Sequence, residues 1–76
     1  MIDKIKLIMA TVFDVESSSI AQETSSETIE KWDSINHMNL ITSLEDEFDI
    51  RFDDAEIAEM LNFKAIFESV TKKINK

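Results

Sequence analysis

The 76-residue chain contains no glycine, no proline and no cysteine, and it has a single histidine, His37. Without cysteine, neither disulfides nor a thiolate metal site can staple the fold. With one imidazole, a zinc site would need carboxylates for every other ligand, whereas closed zinc sites draw mainly on Cys and His. The absence of glycine rules out Gly-rich phosphate loops, and the lack of both turn-forming residues gives no sign of tight hairpins. Long apolar runs are also missing, since nothing approaches the roughly 18–20 residues of a membrane span. The first residues, MIDKIKLIMATVF, interrupt their apolar positions with Asp3, Lys4 and Lys6, so no signal peptide is expected and a cytoplasmic protein is.

What is present is enough for one small domain, expected over residues 1–76. Hydrophobic residues make up 43% of the chain, too many for simple disorder. A chain this short buries only about 60–65% of its unfolded surface, so a thin core is expected. The formal net charge is −8, and its placement is uneven. Residues 45 to 59 hold eight acids (Glu45, Asp46, Glu47, Asp49, Asp53, Asp54, Glu56 and Glu59) against Arg51, a charge of −7 that leaves −1 for the rest. Nucleic acid is disfavoured as a partner, because phosphate binding needs the opposite sign. A partner with a basic patch is favoured, since complementary fields steer encounter. A solvated face that merely keeps a small protein dispersed would look the same residue by residue.

Apolar periodicity predicts helices and no strands. Ile2, Ile5, Ile8, Met9, Val12 and Phe13 recur at steps of three and four, one face of a helix ending near Asp14. Residues 14 to 31 are rich in Ser, Thr and Glu and lack a sustained period. They read as a long loop pinned by Val15, Ile20 and Ile29, and loops of this length are usually functional or mobile. A second helix is predicted from about Ser34 to Asp49, with Leu40, Ile41, Leu44 and Phe48 on one side. Ile35, Met38 and Thr42 form a second stripe roughly 120° round, which a small domain does not need for its core and should leave partly exposed. A short helix follows from Asp53 or Asp54 to Met60, with Asp53 as its cap. The last helix starts after Asn62 and shows Phe63, Ile66, Phe67, Val70 and Ile74, closing on Lys72 and Lys73 as the helix dipole prefers. The expected fold is all-α, a small four-helix bundle of three main helices and one short one.

For catalysis the sequence offers little. His37 lies one turn after Ser34, but on a helical wheel it points toward the core stripe while Ser34 sits at the helix mouth. A packed or partly exposed histidine is expected rather than a Ser–His pair. A calcium loop starting at Asp49 would put Arg51 third, Asp54 sixth and Met60 twelfth, which fails the EF-hand pattern. Ser34 itself has two readings. Asp and Ser are common helix caps, so it could simply start the helix. Equally, a serine at a helix N-terminus is exposed where free amides and the dipole favour an anionic group, such as a phosphodiester on its hydroxyl.

The stretch WDSINHMNLITSLEDEFDI resembles the acyl carrier protein signature, approximately DSL-x-x-V-E-L-x-x-x-L-E-E-E-F. Ile35, Met38, Leu40, Leu44, Glu45, Asp46, Glu47 and Phe48 occupy the matching places without a gap. The resemblance extends over nearly the whole chain and is most specific over residues 33 to 52. It implies a four-helix carrier, not an enzyme, in which Ser34 takes 4′-phosphopantetheine from coenzyme A, with Asp33 as its motif neighbour. The thiol of that arm would hold acyl or aminoacyl groups as thioesters. Ile35, Met38, Thr42, Glu45 and Asp46 match the family's partner-docking surface, and Leu40, Leu44, Phe48, Phe52, Met60, Phe63 and Ile66 its core. The implied partners are a phosphopantetheinyl transferase (holo-ACP synthase) and acyl-loading and acyl-transfer enzymes with basic docking patches, with a monomeric carrier expected.

The chain departs from the family pattern at four places. Lys31 and Trp32 stand where a glycine usually precedes Asp-Ser, and Ser26 aligns with a frequent loop phenylalanine, so a less firmly anchored loop is expected. Asn39 replaces a commonly acidic docking position, and Asp53 stands where proline often begins the short helix. These departures weaken the case for a general fatty-acid-synthesis carrier and point at least as readily toward a dedicated carrier for polyketide, nonribosomal-peptide or surface-polysaccharide modification. Trp32 is expected to cover the edge of the core rather than shield the arm. The competing reading is an acidic helical adaptor for a basic protein partner, with Ser34 only a cap.

Overall fold

The computed structural model describes residues 2 to 74. In it α1 spans Ile2–Phe13, α2 Ser34–Phe48, α3 Asp54–Glu59 and α4 Phe63–Ile74. α1 packs against α2 and α2 against α4, within extents of 31 × 23 × 20 Å. Among the described residues there is no strand, only one isolated bridge between Ser25 and Asn62.

The predicted stripes become the core. Ile5, Met9 and Phe13 of α1 meet Leu40, Ile41 and Leu44 of α2 and Phe63, Ile66 and Val70 of α4, all buried. Phe52 and Met60, at the two ends of the α3 segment, are buried as well, and Phe48 and Phe67 pack partly against the cluster. Two stripe members do not join it: Ile2 and Ile74 are exposed, because helix ends run past the neighbours that would cover them.

A glycine-free chain must still end its helices. α1 and α2 both do so with aspartate in the left-handed region, Asp14 at φ 57° and Asp49 at φ 55°. Asp and Asn are the non-glycine residues that reach this region most readily. The following amides then close the ends, Val15 N–H donating to the Ala10 carbonyl and Ile50 N–H to the Glu45 carbonyl. At the start of α3, Asp53 accepts from the Glu56 amide at 2.8 Å while Glu56 accepts from the Asp53 amide at 2.9 Å. This reciprocal box needs an N–H at position 53, which a proline there could not supply.

The loop between α1 and α2 is held more firmly than the serine at position 26 suggests. Ile20 and Ile29 are buried and Val15 packs on the core, as predicted. In addition Ser26 N–H donates to the Leu61 carbonyl at 2.9 Å and Phe63 N–H to the Thr24 carbonyl at 2.8 Å. Main-chain pairing to the α3–α4 linker thus supplies the anchor that an aromatic side chain would otherwise give. A turn of 3-10 helix at Ser17–Ser19, outside the predicted elements, shapes the loop's first half.

Lys73 of α4 binds Glu56 of α3 at 2.8 Å. That hydrogen bond, then the one from the Asp53 amide, holds the Glu56 carboxyl below its ordinary value against the opposing effect of burial. A lowered folded value means that the stabilisation is present above the unfolded value and is lost as pH falls through the folded one. Gln still serves in a capping box, so Glu56→Gln removes mainly the charge. We expect wild type to exceed the variant by about 0.5–1 kcal/mol at neutral pH. Urea unfolding should show the difference disappearing at acid pH, and a difference independent of pH would contradict the assignment.

Candidate functional site

The N-terminus of α2 is built by Asp33, not Ser34. The Asp33 backbone is extended, and its Oδ1 accepts from the Asn36 amide at 2.8 Å. Asn36 in turn donates through Nδ2 to the Lys31 carbonyl at 2.8 Å, which fixes the chain as it enters the helix. Ser34 is therefore the first helical residue. It is exposed, and among the described residues its hydroxyl enters no hydrogen bond. Of the two readings, the cap belongs to its neighbour and leaves the Ser34 hydroxyl without a structural task.

Trp32 is buried, stacked on Phe13 at 4.7 Å between centroids, so it covers the edge of the core as expected. Its indole N–H donates to Nδ1 of His37 at 3.0 Å, and Nε2 of His37 lies 2.8 Å from the Ile57 carbonyl of α3. Both ring nitrogens are thus engaged away from Ser34, and His37 is no base for it. Ser26, Trp32, Asp33, Ser34, His37 and Leu61 line a groove of about 320 Å³ beside the hydroxyl. Leu61 carries no periodic signal in the sequence. The Ser25–Asn62 bridge brings the loop and the α3–α4 linker together at that point.

The second stripe of α2 faces outward. Ile35 is 74% exposed and Met38 50%, with Thr42 and Asp46 exposed on the following turns. Leu61 adds a 45% exposed apolar side chain on the linker. Glu45 is placed differently: it is half-buried, and its Oε2 accepts from the Phe52 amide at 2.9 Å, tying the α2–α3 loop to α2. The acidic segment is partly used internally too, Glu47 pairing with Lys4 at 2.9 Å and Glu56 with Lys73. Asp46, Asp54 and Glu59 remain exposed.

Among the described residues no group of three or more His, Cys, Asp or Glu side chains could hold a metal ion. No described helix is long and apolar enough to cross a membrane. No family model and no curated protein matches the chain. Among solved structures, the chain is similar to the solution NMR structure of a holo acyl carrier protein from Geobacter metallireducens. The TM-score is 0.87 and the identity 38%, over 97% of this chain and 85% of that one.

Proposed function

Since the chain belongs to the acyl carrier protein family, and so is a carrier rather than an enzyme, we propose that Ser34 is its attachment point for 4′-phosphopantetheine. The observation that carries this is an exposed hydroxyl at the first helical position, left without a partner because Asp33 does the capping. The residues present fit such a group. A phosphodiester on Ser34 Oγ would lie at the positive end of the α2 dipole, beside amides at the helix start. The groove next to it, walled by Trp32 and Leu61, offers apolar surface to whatever extends from the hydroxyl. Once attached, the arm supplies the thiol that a cysteine-free chain lacks, so that acyl groups can be held as thioesters.

The chain's own residues would then present that arm. Ile35, Met38 and Thr42 give an apolar strip starting one residue from Ser34, and Asp46 supplies negative charge one turn further on. This combination suits enzymes whose docking sites pair an apolar pocket with a basic patch, including the phosphopantetheinyl transferase and acyl-loading or acyl-transfer enzymes. Glu45 contributes through the α2–α3 loop it tethers. A dedicated biosynthetic pathway, in polyketide, nonribosomal-peptide or surface-polysaccharide modification, fits the departures at Asn39 and Asp53 as well as fatty acid synthesis does.

The reading is tested by intact mass after incubation with coenzyme A, Mg²⁺ and a broad-specificity phosphopantetheinyl transferase. One phosphopantetheine should be gained. No gain, with a known carrier modified in parallel, would favour an acidic adaptor. Docking is tested by Ile35→Glu, which places a charge in the apolar strip and touches no core residue. Its loading efficiency, read as kcat/KM, should fall by about tenfold or more with an unchanged melting temperature. Unchanged loading would remove Ile35 from the docking surface.

A further inference from the structure

His37 joins three parts of the fold at the groove beside Ser34. Its ring follows Phe13 and Trp32 in a stack, with centroids 4.7 and 6.1 Å apart, and its two nitrogens reach in opposite directions. The bonding fixes its protonation state. An indole N–H can only donate, so Nδ1 must carry no proton to accept from Trp32 at 3.0 Å. A carbonyl can only accept, so Nε2 must carry the proton directed at Ile57 at 2.8 Å. Ile57 lies in the last turn of α3, where its carbonyl also accepts from the Met60 amide at 3.3 Å, so the imidazole engages the second lone pair of that oxygen. Within α3 itself no residue is fully buried, so this short helix depends on its flanking residues and on such side-chain ties for its position.

We propose that His37 is a positioning residue, a latch that ties α3 to the Trp32 end of α2 and fixes the groove at Ser34, and that only the neutral imidazole can close it. A proton added at Nδ1 turns both nitrogens into donors, and no orientation of the ring then accepts from Trp32. Trp32 is held by Phe13 and cannot readily yield. The imidazolium must swing away, and that motion breaks its alignment with the Ile57 carbonyl. The groove then changes beside Ser34. Asp33 is the charged side chain lining that groove, and its Oδ1 is committed to the Asn36 amide. On α3 the nearest carboxylate in sequence, Glu56, is committed to Lys73. The latch does not require Ser34 to be modified.

The test uses the unmodified, ¹⁵N-labelled chain, so it stands whether or not Ser34 accepts a group. Long-range ¹⁵N–¹H correlation should show the Nε2–H tautomer at neutral pH. On acidification the Trp32 indole N–H resonance should move with the same midpoint as the His37 ring. Its exchange with water should quicken by about tenfold, the loss of one hydrogen bond, and α3 amide exchange should rise with it. In His37→Gln, Oε1 can accept from Trp32 and Nε2 donate to Ile57, so the indole step should vanish while α3 keeps its protection. His37→Phe should lose α3 protection at every pH. An Nδ1–H tautomer, an indole resonance that ignores the histidine titration, or a step that persists in His37→Gln would each overturn the proposal.

Discussion

Substituting Ser34 by alanine is expected to abolish phosphopantetheine loading completely and to leave the fold unchanged. The two halves of this result have separate causes. With Ser34 as the proposed attachment point, loading is expected to need its hydroxyl, and the other exposed hydroxyls nearby, on the serine- and threonine-rich loop, do not start a long helix. Stability should hardly respond, because the capping bond is made by Asp33 and the Ser34 side chain is exposed. Alanine is also the better helix former, so a change within about 0.5 kcal/mol is expected. Asp33→Ala provides the contrast, since it removes the cap and should cost about 1 kcal/mol. Intact mass and urea unfolding of wild type and both variants measure the two effects independently. A phosphopantetheine gained by Ser34→Ala would move the attachment to another hydroxyl. A stability loss as large as that of Asp33→Ala would show that Ser34 has a structural task after all.

The largest expected effect on stability is that of Phe13→Ala. Phe13 is fully buried at the end of α1, and its ring stacks on Trp32 at the opposite end of the long loop. Truncating a buried phenylalanine costs about 3–5 kcal/mol, the lost transfer energy plus the cavity. A folded chain of 76 residues has a total stability of only about 4–11 kcal/mol. The variant should therefore melt tens of degrees lower, at about 4–8 °C per kcal/mol for a chain of this size. Trp32 reports the event locally, as the only tryptophan, by its fluorescence and near-ultraviolet circular dichroism. Ile74→Ala makes the matching control. Ile74 belongs to the α4 stripe by spacing but is 44% exposed, so its loss should stay within about 0.5 kcal/mol. Equal losses in the two variants would contradict the core described above.

The site combines a rigid start of α2 with an exposed apolar strip and an acidic continuation. Rigidity comes from short-range bonds, Asp33 to Asn36 and Asn36 to Lys31. The strip is exposed because α1 and α4 already cover the opposite side of α2. A partner that engages Ile35 and Met38 therefore meets a preformed surface, and little ordering cost is added on docking.

Much of this follows from the order of residues alone. Helical period places Leu40, Ile41 and Leu44 on one face and Ile35, Met38 and Thr42 on another, and a single helix cannot bury both in so small a domain. The Asp53 cap and the boundaries of α3 and α4 are local too, because a cap acts within one turn. The register of Asp33 and Ser34 against the stripe that follows is likewise a matter of spacing. What spacing could not decide is which of two adjacent cap-forming residues makes the bond, since that depends on the backbone angles at Asp33. Nor could it find contacts between different segments of the chain. The pairing of Ser26 with Leu61, the turn of Glu45 toward Phe52, and the chain from Trp32 through His37 to Ile57 all join residues whose separation carries no period. They arise only when helices dock, because docking brings unpaired amides and carbonyls from different segments within reach and burial makes leaving them unpaired costly.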